Sequence, residues 1–361
     1  MSRWHICFLL GAWVLAVACV SENAAWGQNK AKKNKSELDS EFAAARRLES
    51  LCVFADFFGE PDLLAGTETE WENGKLTRED KNGKSHKVPI TEAMLECESL
   101  NAKLIGEILK LKHLRTLSIQ FSSLQDVDFP IQELKWLEKL ELENTSEKEI
   151  AIPKNWAKNI GALPALRTLQ IPDSPELLQE AAKMEKLQSL TVTSLRDEPI
   201  LPRILPLKNS LRELVLMSEQ EPQAGEILKQ FTRLQVLSLD CADFENKNLD
   251  SFLREIHGLP LRCLWLAEGQ IGQDGVDVLL SWDSLQEVML PKGFSEELFS
   301  LLEKEEISVS LSQKDGSRRE QRMKKFFRAS SSEKMHRDYR LDAQGNYIHW
   351  AELHGGIFLL K

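Results

Sequence analysis

The sequence has little of what marks a membrane protein, a disulfide-built domain or a nucleic-acid-binding protein. After residue 20 it contains no apolar run of the roughly 20 residues that a membrane span needs. Four cysteines lie beyond residue 27, few for a scaffold held by disulfides. Lys and Arg number 46 against 56 Asp and Glu, and this deficit argues against sequence-independent binding of nucleic acid. The 42% hydrophobic content instead predicts a folded domain with a core.

Residues 1–27 have the pattern of a secretory signal peptide. Arg3 precedes a nearly continuous apolar run over 6–20, and residues 25–27 (Ala-Trp-Gly) end on small side chains that suit a cleavage site. We therefore predict a secreted or periplasmic protein. Two alternatives remain: an uncleaved N-terminal segment that anchors the chain in a membrane, and lipid attachment at Cys19.

The strongest signal is an internal repeat, L-x-x-L-x-L, in which Ile or Val sometimes replaces Leu. Alternating side chains of a strand point to opposite faces, so the fourth and sixth positions of this frame point inward together. One repeat is too small to bury its own leucines, and stacked copies share a core. The spacing between copies runs from 21 to 29 residues. The eight copies begin at Leu114, Leu137, Leu166, Leu187, Leu211, Leu234, Leu261 and Leu285.

This array resembles the leucine-rich-repeat family, whose repeats run to about 20–29 residues. The resemblance covers residues from about 100 to 311. It implies an α/β solenoid with parallel strands on a concave face, helices on a convex face, and a cap at each end. The corresponding division is a signal peptide over 1–27, a flexible leader and N-terminal cap over 28–100, the solenoid over 101–311, and a basic tail with a C-terminal cap over 312–361.

Helical spacing of apolar residues predicts helices between the strands, at 224–231, 249–256, 276–280 and 298–302. The family usually has Asn or Cys at the ninth frame position, whereas this chain has residues such as Ser122 there. We therefore expect irregular turns.

Both flanks contain local signals of structure. Ser36 is a candidate N-cap for a helix with an apolar face that includes Phe42 and Leu48. The pairs Asn73-Gly74 and Asn82-Gly83 are each suited to closing a hairpin. Some part of 60–100 is a candidate for a degenerate first repeat.

The C-terminal flank is basic. Residues 313–340 hold ten Lys or Arg and four Asp or Glu, a local charge of +6. One interpretation is an amphipathic segment that contacts an anionic membrane surface, a polysaccharide or an acidic partner. The other is a solvated helix that offsets an acidic solenoid. Residues 339–350 predict two short strands joined by a turn.

No catalytic or metal-binding constellation emerges from the sequence, and we predict neither an enzyme nor a cofactor. The Asn82–Ser85 segment lacks the first glycine of a phosphate-binding loop, since Arg78 occupies that position. His349 and His354 have the wrong spacing for a zinc-protease helix. Glu141 and Glu143 form an outward acidic patch with Lys139, which we interpret as solvated charge.

The repeat frame also separates two of the cysteines. Cys263 occupies the third frame position, and Cys241 the eighth position of the preceding repeat. Five positions along a strand correspond to roughly 16 Å, beyond disulfide reach of about 7 Å, so these two are not expected to be bonded. A bridge between Cys52 and Cys97 stays open.

The third, fifth and seventh positions of each strand point to the concave face, where the family commonly binds proteins. They are polar in the first repeats, whereas toward the C-terminus they include apolar residues that form our candidate binding patch. These are Val215, Met217, Val236, Trp265 and Met289. The alternative is that the C-terminal tail covers this patch.

The sequence therefore predicts a non-enzymatic module that binds a protein or another macromolecule. Two other functions stay open: an envelope-associated structural protein, and a hydrolase-type enzyme with its site after Leu311.

Overall fold

A computed structural model describes residues 36–59, 69–79, 83–146, 150–172, 174–193, 198–245, 247–291 and 307–311, and the short strands 339–341 and 347–349. The predicted signal peptide, the predicted helix at 298–302 and all but the end of the basic segment lie outside the described residues. Within these ranges, no helix is both long enough and apolar enough to cross a membrane.

The fold is α/β, with a large, mostly parallel β-sheet accompanied by helices. The chain divides into two compact units, Met1–Leu187 and Gln188–Lys361.

In the first unit, the sheet follows the order β1-β5-β6-β7-β8, in which β1 is antiparallel to β5 and β5, β6, β7 and β8 run parallel. A separate three-stranded antiparallel sheet contains β2, β3 and β4. The elements are α1 (36–51), β1 (Phe54–Phe58), β2 (Thr69–Glu72), β3 (Lys75–Glu79), β4 (Ser85–Lys87), β5 (Glu92–Leu100), α2 (Ala102–Ile108), β6 (Thr116–Leu124), β7 (Lys139–Asn144), α3 (Lys154–Gly161), β8 (Thr168–Pro172) and α4 (Pro175–Ala181).

In the second unit, strands β9 to β14 follow one another in sequence order, and neighbouring strands are parallel. Two further strands, β15 and β16, pair antiparallel, as predicted for residues 339–350. The elements are β9 (Ser189–Thr193), α5 (Leu201–Ile204), β10 (Glu213–Ser218), α6 (Ala224–Leu228), β11 (Val236–Cys241), α7 (Asp250–Ile256), β12 (Cys263–Leu266), α8 (Gln273–Leu280), β13 (Glu287–Leu290), β14 (Ser308–Leu311), β15 (Tyr339–Leu341) and β16 (Tyr347–His349).

The register of the strands follows the repeat frame. Leu117 of β6 pairs with Leu140 of β7, and Leu237 of β11 pairs with Leu264 of β12, each at the fourth frame position. The side chains at the first, fourth and sixth positions of all eight copies are buried, at most 6% exposed. This packing explains the frame, because each leucine stacks on its equivalents in neighbouring strands.

Three predicted helices are confirmed as α6, α7 and α8, each with a buried apolar face. Two Trp side chains, one in α3 and one just after α8, donate hydrogen bonds to backbone carbonyl groups of earlier loops. Trp156 Nε1 donates to the Val127 carbonyl oxygen at 2.6 Å, and Trp282 Nε1 donates to that of Leu259 at 2.9 Å.

The N-terminal flank contains both the predicted helix and the first predicted hairpin. Helix α1 begins at residue 36 and buries Phe42 and Leu48. Asn73 and Gly74 join β2 to β3 with φ values of 52° and 70°, the left-handed pair that a tight two-residue hairpin needs. For the second pair, β3 and β4 are antiparallel, but Asn82 lies outside the described residues.

The parallel strands begin one repeat earlier than the eight copies indicate. Strand β5 runs parallel to β6, with Ala93 opposite Leu117 and Leu95 opposite Ile119. Its frame therefore starts at Ile90, which is buried. The suggestion of a degenerate repeat within 60–100 fits this strand.

Candidate functional site

We define the open face as the side of β1 and β5 to β8 that is opposite the buried leucines. On β6 and β7, Thr116, Ser118, Gln120, Lys139 and Glu141 are partly exposed and alternate with buried residues. The outward positions of these strands were predicted to be polar. Polar residues suit them because every second side chain of a strand points away from the core. Five strands about 4.8 Å apart make the open face roughly 20 Å wide.

The open face is acidic. Among the described residues of these strands, the outward carboxylates are Asp56, Glu92, Glu96, Glu98, Glu141 and Glu143, and the outward cation is Lys139. Lys139 Nζ lies 2.8 Å from Glu141 Oε1, and Gln120 Nε2 donates to Glu143 Oε2 at 2.8 Å. The predicted acidic patch is therefore partly neutralised on β7. Glu96 and Glu98 of β5 are exposed, so this end of the open face presents negative charge to solvent.

Large apolar side chains are exposed at the same end of the open face. Phe54 is 51% exposed and Met94 is 42% exposed, and Val53 precedes Phe54. In the β1–β5 ladder Phe54 is opposite Glu96, and Asp56 is opposite Met94. Directly opposed residues of an antiparallel pair point to the same face. Phe54 and Met94 therefore lie among the carboxylates of the open face.

This end of the open face could not be predicted from the leucine frame, because the first of the eight copies begins at Leu114. A usable signal was present in β5, where Ala93, Leu95 and Cys97 alternate with Met94 and polar residues. That period of two predicts a strand with one buried face.

The predicted binding patch lies on the corresponding side of β10 to β13. Trp265 pairs with Met289 on one side and with Ser238 on the other, and Ser238 pairs in turn with Val215. Val236 lies in the neighbouring row, opposite Glu213. The register thus brings the predicted residues onto one face of adjacent strands.

The exposure we expected for that patch differs from the structure. Val215, Met217, Val236 and Trp265 are 1 to 8% exposed, and Met289 is partly exposed. Because the outward positions of β10, β11 and β12 are mostly buried, we call this the buried face. Whether its residues contact a partner stays a prediction.

Two polar groups on the buried face, in adjacent strands, are buried without a hydrogen-bond partner among the described residues. They are Trp265 Nε1 and the Ser238 hydroxyl. Each buried polar group without a partner costs about 1–3 kcal/mol. The row therefore stabilises the fold through apolar contact and not through hydrogen bonds.

A buried carboxylate accepts backbone hydrogen bonds in one turn of the second unit. Glu221 accepts hydrogen bonds from the Ile200 and Leu201 backbone N–H groups at 2.8 and 3.2 Å. The Ser218 hydroxyl donates to it at 3.1 Å. Since α5 begins at Leu201, Glu221 satisfies N–H groups at the start of that helix.

Two carboxylates join α1 to the repeats of the first unit. Glu41 Oε1 lies 2.6 Å from His113 Nδ1 and accepts the His113 backbone N–H at 3.2 Å. Burial raises the pKa of Glu41, against the opposing effect of His113. Burial also acts to raise the pKa of Glu107, but the cations of Lys110 and Arg47 hold it below its usual value.

The described residues include no group of three or more His, Cys, Asp or Glu arranged to hold a metal ion. A small cleft lies between α3 and α4, lined by charged side chains such as Lys154, Lys158 and Glu176. Lys154 and Lys158 are exposed, and Glu176 is partly exposed. No model of a known protein family matches this chain, and no curated protein matches it.

Proposed function

We propose that the chain is a leucine-rich-repeat solenoid, exported from the cytoplasm, that binds a protein partner on the open face of its first unit. One observation carries this proposal. Phe54 and Met94 are exposed among carboxylates, on strands whose backbones are held in place by a β-ladder. The in-register burial of the repeat leucines supports the solenoid. The N-terminal sequence pattern supports export.

The open face is favoured over the buried face because a partner reaches its side chains without first displacing anything. Trp265 is 8% exposed, whereas Phe54 is 51% exposed. The backbone of Phe54 and Met94 is already held by the β-ladder, so association costs little backbone freedom, which favours affinity.

The chemistry of the open face specifies the kind of partner. Glu96 and Glu98 are exposed, so a partner with Lys or Arg side chains gains complementary electrostatics and faster association. Phe54 and Met94 offer an apolar anchor of the type that dominates binding energy at interfaces. We therefore propose a basic protein segment with at least one apolar side chain.

Site-specific photo-crosslinking in the native source tests this proposal. A photoreactive amino acid placed at position 54 should yield a covalent adduct with the partner, identified by mass spectrometry. Trp136 is a matched control, because it is an exposed aromatic residue of the same unit, 65% exposed, that lies outside the open face.

The captured partner then allows a charge test. Glu96→Lys should weaken its binding about tenfold at low salt, and by less as salt screens the interaction. Glu185→Lys, an exposed reversal outside the open face, should leave the affinity unchanged. Adducts formed equally from positions 54 and 136, or equal effects of the two reversals, would contradict the proposal.

A further inference from the structure

The four cysteines beyond residue 27 are free thiols in the structure, but two of them belong to one small region. Cys52 directly follows α1, and Cys97 lies near the middle of β5. Cys52 is half-buried and Cys97 is buried.

The backbone brings these two residues side by side. The Cys52 N–H group donates to the Leu48 carbonyl oxygen at 2.9 Å, which continues the hydrogen bonding of α1. The next N–H group, that of Val53, donates to the Glu96 carbonyl oxygen at 2.7 Å. Cys52 directly precedes Val53 in the chain, and Cys97 directly follows Glu96. Phe54 is already opposite Glu96 in the ladder, so Val53 and Phe54 both face this one residue, as in a β-bulge, and the next residue, Cys52, comes beside Cys97. Neighbouring positions on antiparallel strands have Cα atoms about 4.5–5.5 Å apart, within the span of about 4.4–6.8 Å that disulfides adopt.

The electrostatics of the thiols agree with this proximity. Burial raises the pKa of Cys97 to about 12, and the adjacent Cys52 and Glu96 add to the rise. Burial alone raises the pKa of Cys52 to about 11. The Cys97 thiol donates to the Gln120 carbonyl oxygen at 3.4 Å, which fits an uncharged S–H group.

We propose that Cys52 and Cys97 form a disulfide in an oxidising compartment, and that this bond fastens the end of α1 to the first parallel strand of the sheet. The two residues are 45 positions apart, so the bond closes a loop that contains β1 to β4. Closing such a loop restricts the unfolded chain and stabilises the folded one.

The oxidant is a disulfide such as oxidised glutathione. The Cys52 thiolate attacks one sulfur of glutathione disulfide, the S–S bond breaks, and one glutathione thiolate leaves. Cys97 then loses its proton and attacks Cys52 Sγ of the mixed disulfide, which expels the second glutathione. Two protein thiols are oxidised and one glutathione disulfide is reduced to two thiols. Because both protein thiols have raised pKa values, exchange is slow at neutral pH and accelerates as pH rises.

The test is disulfide mapping of the purified full chain. The chain is reduced, equilibrated with a glutathione redox buffer at high pH, alkylated and digested without reductant. We expect one cross-linked peptide pair that contains Cys52 and Cys97, and an unfolding midpoint roughly 5–10 °C above that of the reduced chain. The same peptide map separates Cys7 and Cys19 from the other cysteines.

Two variants make the outcome decisive. The double variant Cys241→Ser, Cys263→Ser should retain both the cross-link and the rise in midpoint. Cys52→Ser should lose both, with an unfolding midpoint like that of the reduced wild type. Alkylation of both Cys52 and Cys97 after oxidation would overturn the proposal, as would a cross-link that joins either of them to another cysteine. A correct cross-link that leaves the midpoint unchanged would overturn its stabilising role.

Discussion

At the fifth frame position, Ser118 and Glu141 of the first unit are partly exposed, whereas Val215, Ser238 and Trp265 of the second unit are buried. The frame is the same and the strands are parallel in both places. The frame therefore sets the direction in which a side chain points, but not whether water reaches it. On β6 and β7 that direction leads to a partly exposed acidic surface, and on β10 to β12 it leads to a buried layer. Gln170 of β8 is buried as well, and Met289 of β13 is partly exposed.

The largest expected effect of this difference is on stability. Trp265→Ala removes a buried indole and should lower the free energy of unfolding by about 3–5 kcal/mol. Phe54→Ala removes an aromatic side chain that is half-exposed, and should change it by about 0.5 kcal/mol or less. Urea unfolding followed by far-ultraviolet circular dichroism measures both. Similar losses in the two variants would contradict the contrast between the faces.

We expect a smaller effect on how stability changes with pH, because the first unit buries the carboxyl group of Glu41. Glu41 is a buried residue of α1, and burial raises its folded-state pKa above the usual 4.5. Its contribution to stability is therefore complete below pH 4.5 and is lost as pH rises through the raised folded value.

The variant Glu41→Gln isolates this contribution, because glutamine stays uncharged across the range. Relative to the variant, the wild type should lose stability as pH rises from 4.5 through the raised pKa of Glu41, since only the wild type must then bury a carboxylate. A flat difference between wild type and Glu41→Gln would show that the buried carboxyl is not what titrates.

Much of the fold was predictable from the sequence because one physical rule repeats. Leu117, Leu140 and Leu237 are buried because each repeat needs its neighbours to cover them. Helices α6 to α8 and the Asn73-Gly74 hairpin follow from equally local signals. Each of these features depends on residues within one repeat or one turn.

The site was harder to predict because exposure depends on distant parts of the chain. Trp265 occupies an outward position, yet its sequence neighbours carry no information about what surrounds that face. Strand β5 was missed because Ala93 stands at the fourth frame position, where the eight copies have Leu or Val. The pairing of Phe54 with Glu96 needs an antiparallel strand that the repeat does not contain.

Hydroxyl-radical footprinting measures which of the two faces is exposed and which one the partner covers. It is done on the chain alone and on the chain with the purified partner that crosslinking identified. In the free chain, Phe54 and Met94 should be oxidised much faster than Met217 and Trp265 after correction for intrinsic reactivity, since the first pair is exposed and the second is buried. The partner should protect Phe54 and Met94 and leave Trp136 unchanged. Protection confined to Trp136, or rapid oxidation of Trp265 in the free chain, would contradict the account.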